Sequence, residues 1–305
     1  MRGLGVQSWL SGVPDAVVVL FSLVTQLGDV WFLTLLVLAA YWFGPRLPRV
    51  GAAIDRERAA VAAGILLAGF AVVAVGKPIF ELPRPPGAGQ ASPTALVPEV
   101  LWPLYESLST GTGHGFPSGH AVGSTTAFGG LAWAIRTDRH RRRVAVAAGL
   151  VAVVSLSRLV LGLHYLVDVL AGIGFGVVVL GVAVRLRSPD RVFGFGALIA
   201  AVGLAVVGPL SDIVLVAGVT AGAWLGWIAV GDEIARPPTR EGAAATATAG
   251  VVSGGPLLIA MEVVPTTAVT AGTGAFVGSL AIVAMPLIGE RIAKRIAIKQ
   301  PGESV

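Results

Sequence analysis

Residues 59–81, AAVAAGILLAGFAVVAVGKPIFE, decide the fold. Residues 59–76 carry no charge before Lys77 ends the run. A helix of about 20 apolar residues crosses a ~30 Å hydrocarbon core, so this stretch reads as a membrane helix. Working outward, similar runs lie at 16–43, 118–136, 143–160, 164–186, 192–208, 211–230, 245–264 and 268–289. With 59–81 they predict about nine membrane segments in an all-α, polytopic transmembrane helix bundle. The sixth and seventh runs are separated only by Pro209-Leu210, and read either as two crossings or as a re-entrant hairpin.

Composition agrees. The chain is 55% hydrophobic and 13% charged, with mean hydropathy +0.82, whereas a soluble chain carries about 25% charged residues. With no cysteine, disulfides, thiolate metal sites and cysteine catalysis are excluded. Four histidines without cysteine argue against structural zinc, and no metal or cofactor is expected. Met1 to Pro14 lack the basic start and short apolar run of a cleavable signal, so the first apolar run is expected to stay in the membrane.

The loops set the orientation. Arg46, Arg49, Arg56 and Arg58 share one side with Arg136, Arg139, Arg141, Arg142, Arg143, Arg185, Arg187, Arg191, Arg236, Arg240, Arg291, Lys294, Arg295 and Lys299. That side holds 18 of the 22 basic residues and is expected to be cytoplasmic, with the N-terminus outside and the C-terminus inside. The net charge of +5 is thus a matter of topology and needs no nucleic acid. The other side holds Arg2, Lys77, Arg84 and Arg158.

Three of those four outer cations fall beside polar residues of chemical interest. Pro117-Ser118-Gly119-His120 reads as a helix start: Ser118 is a good N-cap, and the N–H groups of the first turn favour an anion. Gly119 allows close backbone approach, and His120 sits beside the anion. Pro-Ser-Gly alone reads as an ordinary cap. His164 and Asp168, spaced i, i+4, share a helix face. The carboxylate is placed to accept the Nδ1 hydrogen and leave Nε2 as nucleophile or base; a purely structural His–Asp pair is the alternative. Lys77, Arg84 and Arg158 add three cations suited to a phosphoryl group.

Lys77, six residues, Arg84-Pro85; Pro117-Ser118-Gly119-His120; Ser157-Arg158, five residues, His164, three residues, Asp168: this pattern resembles the three-part signature of the type-2 phosphatidic acid phosphatase superfamily, whose site is shared with vanadium-dependent haloperoxidases. The resemblance covers about 60–187 and, loosely, the first helix; it says little about residues 190–305. It implies a metal-independent membrane phosphatase acting on a lipid phosphate or diphosphate. His164 would attack phosphorus and form a phosphohistidine, with Asp168 orienting it. His120 would protonate the leaving group and then activate water. Lys77, Arg84, Ser118, Gly119 and Arg158 would hold the phosphoryl oxygens. A phosphotransferase with an alcohol acceptor and a non-catalytic lipid-phosphate binder or transporter are the rival readings. The enzyme would be a multi-pass protein of the cell membrane with its site on the non-cytoplasmic face.

The chain divides into a phosphatase-type core, 1–190, with outer loop 82–117, and accessory helices, 191–305, of unknown role. Val97 to Leu108 reads either as a helix in the headgroup layer, with Trp102 and Tyr105 at its depth, or as a lid on the helix ends. Gly172 and Gly176, Gly218, Gly222 and Gly226, and Gly274 and Gly278 mark close helix packing or contacts of a homo-oligomer. Asp29, inside the first apolar run, is either functional or a break after Gly28. Glu81 would screen the cations or line an entrance. His114 and His140 read as surface residues, and Asp212 and Glu262 as acids without a visible partner.

Overall fold

The computed structural model describes residues 5–10, 12–47, 53–92, 94–263 and 267–299. Arg2 and Arg49 lie outside them, as do the side chains of Glu262 and Lys299. The described chain is all-α, without strands. In order its helices are α1 (Val6–Leu10), α2 (Asp15–Val24), α3 (Val30–Phe43), α4 (Arg56–Phe80), α5 (Trp102–Ser109), α6 (Gly119–Ala134), α7 (His140–Val160), α8 (Leu166–Leu186), α9 (Pro189–Val206), α10 (Ser211–Ile234), α11 (Arg240–Val263) and α12 (Ala268–Lys299).

Six helices have the length and hydropathy to cross a bilayer: α4, α7, α8, α9, α10 and α12. The first apolar run is broken. A 3-10 turn, Thr25–Gly28, separates α2 from α3, and the two parts are bent by 44°; counted as one span they make a seventh. The remaining two expected segments correspond to α6, only 16 residues long, and α11. Residues 192–230 form two separate long helices, α9 and α10.

Helix α4 is the spine, with 72% of its apolar window buried. Asp55 caps its start, its carboxylate accepting from the Arg58 N–H at 2.7 Å. Its end is set by Pro78 in the last turn and by Glu81, left-handed with φ 48°. Helix α4 packs against α6, α9 and α10; α6 packs in turn against α7 and α8; α12 lies along α10 and α11.

The bundle has two unlike ends. At one, arginines bind helix C-termini. Buried Arg56 donates to the carbonyls of Tyr41, Trp42, Ile234 and Arg236. Arg58 and Arg143 donate to Ala134 and Ala132, the last turn of α6. These cations complement the helix dipoles and satisfy orphan carbonyls. At the other end the start of α6 meets the start of α8, with the Ser118 N–H donating to the Asp168 carbonyl at 3.0 Å.

The outer loop packs onto that second end. Tyr105 is buried, its hydroxyl donating to Ser92 O, and α5 rests on α2. Tyr105 therefore faces the protein and not a headgroup layer. The exposed apolar edge consists of Leu96, Val100, Leu101 and Leu104.

Candidate active site

The three separated motifs converge at the end of the bundle opposite the arginine caps. Lys77 comes from the last turn of α4, Arg84 from the chain just beyond it, and Ser118, Gly119 and His120 from the start of α6. Arg158 closes α7, and His164 and Asp168 span the turn into α8. The charges of Lys77, Arg84 and Arg158 all act on His120, so the groups form one electrostatic cluster.

His164 is 2% exposed and fixed from both sides. Its Nδ1 lies 2.7 Å from Gly115 O and 3.7 Å from Asp168 Oδ2. Acceptors on that side assign the ring hydrogen to Nδ1. Nε2 then carries the lone pair, to which Arg84 Nη1 donates at 3.1 Å. The short contact thus goes to a backbone carbonyl, where the sequence pointed to the carboxylate. Asp168 also accepts the Tyr165 N–H at 2.9 Å, closing the start of α8. Burial pushes the His164 imidazole below the ordinary histidine range, against the pull of Asp168. A neutral imidazole with its lone pair on Nε2 is the nucleophilic form.

Arg84 is held as a fork: Nε donates to Thr112 O at 2.9 Å, and Nη1 to Leu163 O at 3.0 Å. Arg158 Nη1 donates to Thr25 Oγ1 at 2.7 Å, a partner the motifs did not reveal. Asp29 also reaches the cluster, its Oδ2 3.9 Å from His120 Nε2. Asp212 lies exposed in the first turn of α10. Glu81 is exposed at the cap of α4, His140 is exposed, and His114 is half-buried.

Ser118 occupies the N-cap position with extended backbone, yet its hydroxyl makes no cap bond. Six buried side-chain polar atoms among the described residues lack a hydrogen-bond partner, and three belong here: Ser118 Oγ, His120 Nε2 and Arg158 Nε. Such atoms cost about 1–3 kcal/mol each when left unpaired. The three lie beside the N-terminus of α6, whose first N–H groups have no partner within the helix. Among the described residues no cluster of three His, Asp or Glu side chains is arranged to hold a metal ion.

An all-α chain with long apolar helices and a cationic, two-histidine site has the features of a membrane phosphatase. Residues 58–191 match the family model described as the PAP2 superfamily, and this part of the chain belongs to that superfamily. The match spans every motif residue from Lys77 to Asp168 and stops short of Thr25, Asp29 and Asp212. No curated protein and no solved structure matches the chain.

Proposed function

We propose that this protein is a metal-independent membrane lipid phosphatase that hydrolyses a lipid phosphate monoester or a lipid or polyprenyl diphosphate through a phosphohistidine. The observation that carries the reading is the disposition of His164: Nδ1 held by the Gly115 carbonyl, Nε2 turned to the Arg84 guanidinium. The phosphoryl oxygens take up Arg84, Arg158, Lys77, Ser118 Oγ and the Gly119 N–H. Nε2 attacks phosphorus in line, the P–O bond to the leaving group breaks, and His120 gives that oxygen its proton. Water then attacks the phosphohistidine, His120 accepts the water proton, and the N–P bond breaks to release phosphate. Residue Asp168 steadies the cationic ring that forms when Nε2 is phosphorylated.

In this reading the chain crosses the cell membrane nine times, α6 and α11 included, with its N-terminus outside and its C-terminus in the cytoplasm. The site faces the non-cytoplasmic surface, where a lipid keeps its tail in the bilayer and offers its phosphate to the helix ends. Residues 1–190 form the catalytic core, and 191–305 form an accessory bundle.

The test is phosphate release by the purified chain in detergent with EDTA, across lipid mono- and diphosphates. The expected result is release that His164→Ala and His120→Ala both abolish. Near wild-type release by either variant refutes the assignment. A folded wild type without release on any lipid directs the next assays to alcohol acceptors and to simple binding.

A further inference from the structure

The first apolar run breaks at Thr25–Gly28, and the break faces the cluster. We propose that this break is a fourth part of the active site, in which Asp29 is the positioning residue and counter-charge of His120. The inference rests on the phosphatase reading and extends it to a segment outside residues 58–191.

The geometry is specific. Residue Asp29 has extended backbone at the N-cap of α3, but its carboxylate makes no cap bond, so it is not needed to start that helix. Its Oδ2 lies 3.9 Å from His120 Nε2, a buried atom without a hydrogen-bond partner. That gap is too long for a direct hydrogen bond and short enough for the two groups to act on each other as charges. Gly28 makes room: a Cβ there would lie 3.1 Å from His120 Cδ2 and collide with Val154 Cγ1. One turn earlier, fully buried Thr25 accepts from Arg158. Breaking a membrane helix exposes backbone groups, which is tolerated where the break is buried in protein or lines a cavity. Here it delivers Thr25 to Arg158 and Asp29 to His120, with Gly28 leaving room between them.

The chemistry requires such a carboxylate. His120 must carry a proton to the leaving oxygen and later take one from water, so it alternates between charged and neutral forms. Three cations, Lys77, Arg84 and Arg158, act on it electrostatically. Asp168 is engaged with His164 and the Tyr165 N–H. Asp29 is the carboxylate within 4 Å of His120 among the described residues. It stabilises the imidazolium and aims the ring.

The test compares wild type with Asp29→Asn, Asp29→Glu and Asp29→Ala on two substrates: a long-chain alkyl phosphate, whose leaving oxygen needs a proton, and 4-nitrophenyl phosphate, whose leaving group does not. Asp29→Asn is expected to lower kcat on the alkyl phosphate by about 10- to 100-fold with little change in KM. The first-turnover burst of nitrophenolate should persist, and Asp29→Glu should recover more of the alkyl phosphate rate than Asp29→Asn. Should Asp29→Asn fail to fold, Asp29→Ala with added formate reads the same point, through rescue of kcat. Unchanged kcat in every folded variant overturns the proposal. So does an equal loss on both substrates without recovery by Asp29→Glu or formate, which would make Asp29 a residue of the fold. A wild type inactive on both substrates and on every lipid mono- and diphosphate of the panel overturns the phosphatase reading along with this one, whereas an active wild type matched by Asp29→Asn overturns this one alone.

Discussion

Arg84 ties two other segments of the site together with one planar head group, touching Thr112 O on one and Leu163 O and His164 Nε2 on the other. A lysine keeps the charge and loses the fork. Arg84→Lys should therefore cost about 2 kcal/mol of transition-state binding, roughly 30-fold in kcat/KM. Kinetics on the preferred lipid check this, and a loss below threefold contradicts the role. The motif residues were legible because their spacing along the chain is itself the signal. Their supports were not. The carbonyl that holds His164 belongs to Gly115, 49 positions away, and reaches the ring only once the loop has folded back through the Gly115 N–H to Leu82 O bond. Asp29 stood out in the sequence as a charge in an apolar run, but nothing in that run points to His120.

The α6–α8 seam shows what an element contributes. A Cβ at Gly172 would lie 2.8 Å from Ser118 O and 2.9 Å from Ala121 Cβ. Gly172→Ala should push the two helix starts apart, costing about 1–3 kcal/mol by overpacking and lowering turnover. Thermal unfolding in detergent and an activity assay measure both effects. Gly174→Ala, with open space around it, should do neither. Small-residue spacing announced close packing without naming the partner. Gly218 and Gly222 meet the carbonyls of Gly272 and Phe276 on α12, whereas Gly274, in the stripe read from the sequence, faces open space. The break between α2 and α3 was half visible: Asp29 allowed a break after Gly28, but Thr25, Gln26, Gly28 and Asp29 are too few to interrupt a hydropathy average.

Across the whole molecule, α4 links two ends of different chemistry. Arg56 and Lys77 are 21 residues apart, roughly 30 Å along the helix. Arg56→Met should strip four carbonyl contacts from the ends of α3 and α10 and cost about 3 kcal/mol of stability. Turnover per folded molecule should hold, and unfolding curves beside specific activity would tell. The proposed orientation is open to labelling, since the chain has no cysteine. Glu99→Cys should react with an impermeant maleimide in intact cells, and Asp138→Cys only after permeabilisation; the reverse pattern inverts the topology. The broken first span also bears on how portable this chemistry is. A graft of residues 58–191 onto another scaffold would carry Lys77 through Asp168, yet leave Arg158 without Thr25 and His120 without Asp29. The smallest transplantable unit of this site begins ahead of Thr25, well upstream of its first recognisable motif.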